Sequence, residues 1–520
     1  MDLPAIALIE PVLLGAILIA HYALLLGLSV YGAHRLYHLL VLRRRLGKRR
    51  SDSVPNDASF HPRVTVQLPI YNEKYVVERL LDQVARLRWP RDCLQIQLVD
   101  DSTDETTCLA QRKIAALRRV GLTIEHVRRE DRSGYKAGGL DHAMASATGE
   151  FIAIFDADFM PRSDFLERTV PRFRNTSVGM VQTRWSYLNR ERNWLTRIQA
   201  LMLDAHFAVE QVIRSGTGAF FNFNGTGGVW RRSAIEGAGG WQADTLTEDM
   251  DLSYRAQLQA WTFVYLEDTD CPSELPTTMP AFKTQQHRWA KGAIEVMKKI
   301  LPPLWRSDHS LHVKIEATFH LTGNLCYVFM LLDCVFFLVP SIFIREAQGF
   351  GHWLWLDIPI IVFTSLSHGL YYLYGQHRLG ENLVKRFALM PLVFATSIGL
   401  CVNNTRAVLE ALAGQVSGFV RTPKSGDRSG GNAVKALRTS TDYAALYARG
   451  ADRIEVALAF VFIAFVASSA LLGVWTGAVF LSPFAIGFAY IGGQSQIARL
   501  AQDRLERVSL ASRPQDEPIR

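Results

Sequence analysis

Apolar positions gather at the two ends of the chain, while the middle alternates between apolar and polar runs. From Pro11 to Leu40 runs an apolar segment with few charges. It is long enough to cross the ~30 Å hydrocarbon core of a bilayer and too long for the core of a secretory signal. Residues 60–310 contain no such run. After them, His320–Ile344, Trp353–Tyr374, Glu455–Trp475 and the shorter Val479–Gly493 are predicted to span. Phe387–Val402 is also apolar, but its 16 residues reach only about 24 Å as a helix.

Between these ends, short β-rich runs alternate with helical ones. Strands are predicted at Val64–Leu68, Leu94–Val99, Thr123–Val127 and Phe151–Phe155, and helices at Glu73–Leu87, Asp104–Val120 and Lys136–Ala147. That alternation predicts an α/β domain with a mostly parallel sheet. Ligands of such sheets bind beyond the carboxyl ends of the strands. Asn72-Glu73, Asp100-Asp101 and Asp156/Asp158 each follow a strand directly, so three acidic clusters are expected on one crevice. Phe282–Ile300 carries Trp289, Ala293, Val296 and Ile300 at helical spacing with lysines between them. It is expected to lie on a membrane surface, and Asn193–Arg214 has a similar pattern.

Charge assigns sides to the apolar segments. Arg43, Arg44, Arg45, Lys48, Arg49 and Arg50 follow the first one and place that end in the cytoplasm. The loops 375–386 and 413–452 and the tail after Gly493 are also basic. All can lie inside only if Phe387–Val402 does not cross, which leaves five spans and an interfacial or re-entrant helix at 387–412. The expected organisation is 1–50 as an anchor, 51–310 as a cytosolic domain, 311–500 as membrane helices and 501–520 as a cytosolic tail.

Composition narrows the classes further. The chain has 520 residues, 57 basic and 49 acidic side chains, and a net charge of +8. Its mean hydropathy of +0.07 averages a soluble part with a membrane part. Disordered, collagen-like and disulfide-stapled classes are excluded. Six scattered cysteines without a CxxC pair indicate no zinc cluster or disulfide framework. The basic excess sits beside the membrane segments, so no nucleic-acid partner is needed to explain it. Inside the expected spans only Asp333 and Asp357 ionise, which disfavours a transporter or receptor.

The acidic clusters carry the candidate chemistry. Asp156-x-Asp158 after a buried strand suits a hard divalent cation beside phosphates, or else a helix cap beside a solvated carboxylate. Lys136 with Ala137-Gly138-Gly139 opens a helix, where a cation and free N–H groups suit a phosphate. A plain helix start is the alternative. Glu248 and Asp249 precede a helical run, so one of them is a candidate cap. Asp249 is also a candidate general base for a hydroxyl. Arg288 is suited to clamp a diphosphate. Trp289 can stack on a sugar or sit at a membrane interface. No P-loop and no dinucleotide fingerprint is present.

Seven segments taken in order resemble the processive family 2 glycosyltransferases of the cellulose synthase superfamily, close to its mannan and glucan synthases. They are Gln67–Glu73, Asp100–Asp104, Gly134–Leu140, Ile154–Phe159, Phe223–Trp230, Thr247–Leu252 and Gln285–Trp289. The resemblance implies a GT-A fold plus a helical transmembrane channel. It implies an integral, multi-pass protein of the plasma (inner) membrane whose catalytic domain is cytosolic. Tyr71, Glu73, Asp100, Asp101 and Lys136 would contact the sugar nucleotide. Asp156 and Asp158 would hold the diphosphate and Mg²⁺ or Mn²⁺. Asp249 would be the base, with Gln285 and Arg288 on the diphosphate and Trp289 and Glu248 on the acceptor. Phe419–Lys424 resembles the family's gating loop, with Thr422 and Lys424 in place and Arg421 where a valine is expected. The implied activity is inverting polymerisation of a β-linked glycan, from UDP-glucose or GDP-mannose, with passage across the bilayer. A non-processive transferase making a glycolipid is the second reading.

Overall fold

The computed structural model describes residues 3–45, 60–347, 349, 355–418 and 451–511. Seven strands form one sheet in the order β3-β2-β1-β4-β6-β5-β7. They are β1 (Val64–Ile70), β2 (Leu94–Asp100), β3 (Ile124–Val127), β4 (Phe151–Ile154), β5 (Val178–Tyr187), β6 (Gly228–Arg231) and β7 (Thr262–Ser273). The four strands expected from the sequence pair in parallel. β6 runs antiparallel to both β4 and β5, so the sheet is mixed. β6 enters from the crevice end, because its first residue, Gly228, pairs with Ile154, the last of β4. Gly225 and Gly227, at φ +81° and +66°, turn the chain there, a conformation that costs glycine little.

The sheet is covered on both faces. Val64, Val66 and Leu68 pack with Leu80, Leu81 and Val84 of α2 (Val77–Val84) and with Phe165. Ile152 and Ile154 face Trp230, Leu140 and Leu252 on the other side. Helices α3 (Thr106–Arg119), α4 (Tyr135–Met144), α5 (Trp194–Ala205) and α6 (Glu248–Leu258) complete this part.

Among the described residues, four helices are long and apolar enough to cross a membrane: Gly15–Arg44 within α1 (Leu3–Arg45), Leu325–Ile342, Arg453–Leu471 and Trp475–Ala501. Leu383–Gly399 and Cys401–Leu412 pass the same test as a pair bent by 41°. The expected span at Trp353–Tyr374 forms the helix Asp357–Arg378, which is not among the four. Thr364, Ser365, Ser367, His368 and Gln376 dilute its apolar character.

Two expectations are corrected. The helix α7 (Met279–Arg306) does not present an apolar face outward. Val296 and Ile300 pack against Tyr254 and Leu321, and Ile294 packs against Val408 and Ala411. Its lysines turn onto other helices: Lys283 pairs with Glu455 at 2.7 Å, and Lys298 donates to the Ala411 carbonyl at 3.0 Å. An amphipathic period is the same whether lipid or protein covers the apolar side. The ionisable content between the apolar helices is also richer than expected. His21 Nδ1 meets Asp333 at 2.7 Å, and Arg345 forks onto Asp357 at 2.8 and 3.1 Å. A single histidine in an apolar run does not announce a partner 312 residues away, nor a helix-end arginine one that starts the next helix.

The Lys283–Glu455 pair is buried, at 2% and 0% exposure. Removing one partner leaves an uncompensated charge, so Lys283→Met is expected to cost about 3–5 kcal/mol. Adding Glu455→Leu is expected to restore most of the loss. Thermal unfolding of the parent and the two variants in detergent measures both effects.

Candidate active site

The crevice lies where the sheet rule puts it, beyond the carboxyl ends of β1, β2 and β4. Tyr71, Glu73, Asp101, Lys136, Asp156, Asp158, Glu248, Asp249, Gln285, Arg288 and Trp289 all line it. Asp100 does not. Its oxygens accept from the Ser102 amide at 2.8 Å, the Thr107 hydroxyl at 2.8 Å and His126 Nε2 at 2.9 Å. It is 1% exposed. Of the aspartate pair, Asp100 therefore fixes the turn after β2 and Asp101 reaches the cavity. Thr422 and Lys424 lie outside the described residues. The chain leading to them passes Lys291, whose Nζ is 2.7 Å from Ser417 Oγ. A Cβ on Gly418 would stand 2.9 Å from the Tyr135 hydroxyl at the crevice rim.

The walls are set by local structure. Asp158 Oδ2 accepts from the Glu274 amide at 3.1 Å, which aims a buried carboxylate. Lys136 Nζ binds Asp156 Oδ1 at 2.6 Å and the Gly225 carbonyl at 2.8 Å. Burial works against its charge, but Asp156, Glu248 and Asp249 outweigh it and raise the ammonium's pKa. Gly138 admits no side chain, since a Cβ would stand 2.2 Å from the Ser133 carbonyl oxygen. Glu248 and Asp249 occupy the first turn of α6, where the helix dipole favours carboxylates. Burial first, and Glu248 second, push Asp249 up to about 7.

Among the described residues, seven carboxylates and three cations face the cavity. Asp101 is forked by Arg129 and Glu274 is met by Arg79, both from outside the wall.

A second chamber of about 320 Å³ opens beside the first. Asp249, Trp289, Trp185, Asn224, Thr247 and Leu203 line both. Its far walls come from α1 (Arg35), α8 (Leu311–Thr322, through His320) and α9 (Asp357–Arg378, through Tyr371 and Tyr372). The carboxylate at the start of α6 thus stands where the two cavities meet.

Sequence reading missed several of these residues. The Arg132 guanidinium stacks 3.5 Å from the Tyr71 ring centre. His206–Gln211 forms a π-helical turn on the second chamber; such bulges recur at functional sites. Trp185, at the end of β5, lines both cavities. None carries a short-range signal, because each acts through a partner far away in the chain.

Gly292 of α7 lies against Thr247. A Cβ there would stand 2.5 Å from Thr247 Cγ2 and 2.9 Å from its backbone nitrogen. Gly292→Ala is expected to push Gln285, Arg288 and Trp289 away from Asp249. A displacement near 1 Å costs about 10²-fold in rate. Gly493→Ala, which meets nothing within 4 Å, is expected to behave as the parent. Initial rates of the two variants decide it.

A mixed sheet with carboxylates after β1, β2 and β4, beside a carboxylate at the start of α6, has the form of a GT-A-type glycosyltransferase domain. Models for "Glycosyl transferase family 2" and "Glycosyl transferase family group 2" match residues 65–236 and 151–399. Glucomannan 4-beta-mannosyltransferase 1 of Oryza sativa subsp. japonica is 36% identical over 438 residues, covering 80% of each chain. Glucomannan 4-beta-mannosyltransferase 9 of Arabidopsis thaliana is 34% identical over 423 residues, 78% of this chain and 74% of its own. A solved mannosyltransferase from Pyrobaculum calidifontis, in complex with GDP-Man and Mn²⁺, is 23% identical with a TM-score of 0.48, covering 70% of this chain and 98% of that one. The chain belongs to glycosyltransferase family 2, in its cellulose synthase-like group.

Proposed function

We propose that the protein polymerises mannose from GDP-mannose into a β-1,4-linked backbone, with inversion at the anomeric carbon, and passes the product across the membrane. The choice of mannose over glucose rests on the relatives, which are glucomannan 4-beta-mannosyltransferases. One observation carries the polymerising reading: Asp249 stands at the junction of the acidic crevice and a chamber walled by the membrane-side helices. A chain end in that chamber can present its hydroxyl to Asp249 and then advance between the helices. The reading places the crevice on the cytosolic side of a multi-pass protein in the plasma (inner) membrane, in keeping with the basic residues 43–45 at the end of α1.

In this reading Tyr71, Arg132, Glu73 and Asp101 hold the nucleotide. Asp156 and Asp158 fit Mg²⁺ or Mn²⁺: both carboxylates line the crevice directly after β4 and offer hard oxygen ligands. An ion held there would neutralise charge on the leaving diphosphate. Lys136 leaves Asp156 for the phosphates, and Arg288 clamps them by paired N–H donors. Trp289 stacks on the acceptor, and Glu248 bonds its hydroxyls. Asp249 takes the proton as the acceptor oxygen attacks.

Asp249 acts only when deprotonated. Its pKa lies above the ordinary carboxylate range, so the active fraction is small at pH 5 and grows through about 7. The acid limb of kcat/KM is therefore expected to rise tenfold per pH unit below 7 and to flatten above it. A rate independent of pH between 5 and 7 contradicts this role.

Purified protein in detergent or liposomes, incubated with radiolabelled GDP-mannose or UDP-glucose, tests the proposal. Label from GDP-mannose is expected in material too long for a glycolipid. Exclusively short, lipid-extractable product replaces polymerisation with the glycolipid reading, and label from UDP-glucose alone replaces the donor.

A further inference from the structure

A second group of metal-binding side chains lies away from the crevice. His34 and His38, four residues apart on α1, project from one face of the helix. Glu316 reaches them from α8. His34 Nε2 is 3.1 Å from one carboxylate oxygen of Glu316, and His38 Nε2 is 2.9 Å from the other. One ligand atom from each residue lies within 4.8 Å of the others. The three are 9%, 0% and 1% exposed. The His34 ring is held in place by stacking on Phe319, with centroids 4.0 Å apart and planes at 7°.

Among the described residues, the ion-pair partners of Glu316 are these two imidazoles. A buried carboxylate bonded to two imidazoles sets one oxygen and two nitrogen donors together away from water, where a divalent cation can engage all three. The spacing suits it, since ligands at about 2.0–2.1 Å from a tetrahedral ion stand roughly 3.3 Å apart. Two imidazoles at i, i+4 with one carboxylate from another element is a zinc ligand set with a fourth position open. Imidazole nitrogen selects zinc and its neighbours, whereas carboxylates such as Asp156 and Asp158 select Mg²⁺ or Mn²⁺.

We propose that His34, His38 and Glu316 form a second metal site, for Zn²⁺, which clamps α1 to α8. The clamp reaches the reaction centre through the fold. His320, one turn beyond Glu316, bonds the Tyr254 hydroxyl at 2.7 Å. Tyr254 lies on α6, the helix that begins with Glu248 and Asp249.

The test uses the full-length protein, purified without an affinity tag that binds metals, stripped with a chelator and equilibrated with Zn²⁺. Elemental analysis is expected to give one zinc per chain. Asp158→Asn is expected to retain it, which separates this site from the crevice. His38→Gln and Glu316→Gln are each expected to weaken it by at least about 100-fold, since even outer-shell changes cost 10–100-fold. Co²⁺ in the stripped parent protein is expected to show the visible absorption of tetrahedral nitrogen and oxygen ligation, which needs no variant to fold. A parent protein without zinc or that absorption overturns the proposal. So does zinc held undiminished by both His38→Gln and Glu316→Gln.

Discussion

Asp249→Asn is expected to lower kcat by about 10³-fold, within the 10²–10⁴-fold range typical of a positioned general base. The amide keeps the shape and the hydrogen-bonding reach of the carboxylate but cannot take a proton. Nucleotide affinity is expected to change little, because the first turn of α6 is held by backbone contacts. The Ser253 hydroxyl bonds the carbonyl oxygen of Asp249, at 2.5 Å, and not its side chain. Initial rates with saturating donor, together with calorimetric titration of the nucleotide diphosphate, separate the two quantities. A variant with near-parental kcat would remove Asp249 from the mechanism.

The second large effect concerns the divalent ion. Chelation is expected to abolish transfer, and Mn²⁺ or Mg²⁺ to restore it. Asp158→Asn is expected to lower kcat by about 10²–10³-fold and to raise the metal concentration needed for half-maximal rate. The magnitude follows from several kcal/mol of charge stabilisation at the leaving group, converted at 1.36 kcal/mol per tenfold. Asp158 is the sharper probe of the two proposed ligands. Its carboxylate is 4% exposed and aimed by the Glu274 amide, whereas Asp156 is also held by Lys136. Asp156→Asn therefore changes two interactions at once. Full activity in the presence of excess chelator would contradict the assignment.

Much of the crevice was legible because one rule governs it. Parallel strands deliver their carboxyl ends to one side, so Glu73, Asp101, Asp156 and Asp158 had to meet. The antiparallel β6 was not legible, since its direction depends on the turn at Gly225–Gly227 and not on its own four residues. The two aspartates after β2 look alike in the sequence. They part only because Ser102, Thr107 and His126 close around Asp100, while Arg129 leaves Asp101 facing the cavity. The period of α7 gave its helix but not its cover. Lipid and the side chains of Tyr254 and Leu321 ask for the same apolar face, and only the buried Lys283–Glu455 contact tells them apart. The histidines of α1 stood unnoticed for a similar reason: their partner, Glu316, is about 280 residues away in the chain.

The central claim is a polymerising transferase that makes a β-linked mannan backbone at a base shared by two cavities. Its most direct test is the size and linkage of the product made by purified protein from GDP-mannose as sole donor. The expected result is a long polymer that an endo-β-1,4-mannanase reduces to short oligosaccharides and that a β-1,4-glucanase leaves intact. A product that stays at one or two added sugars, or a polymer that resists the mannanase, would contradict the account.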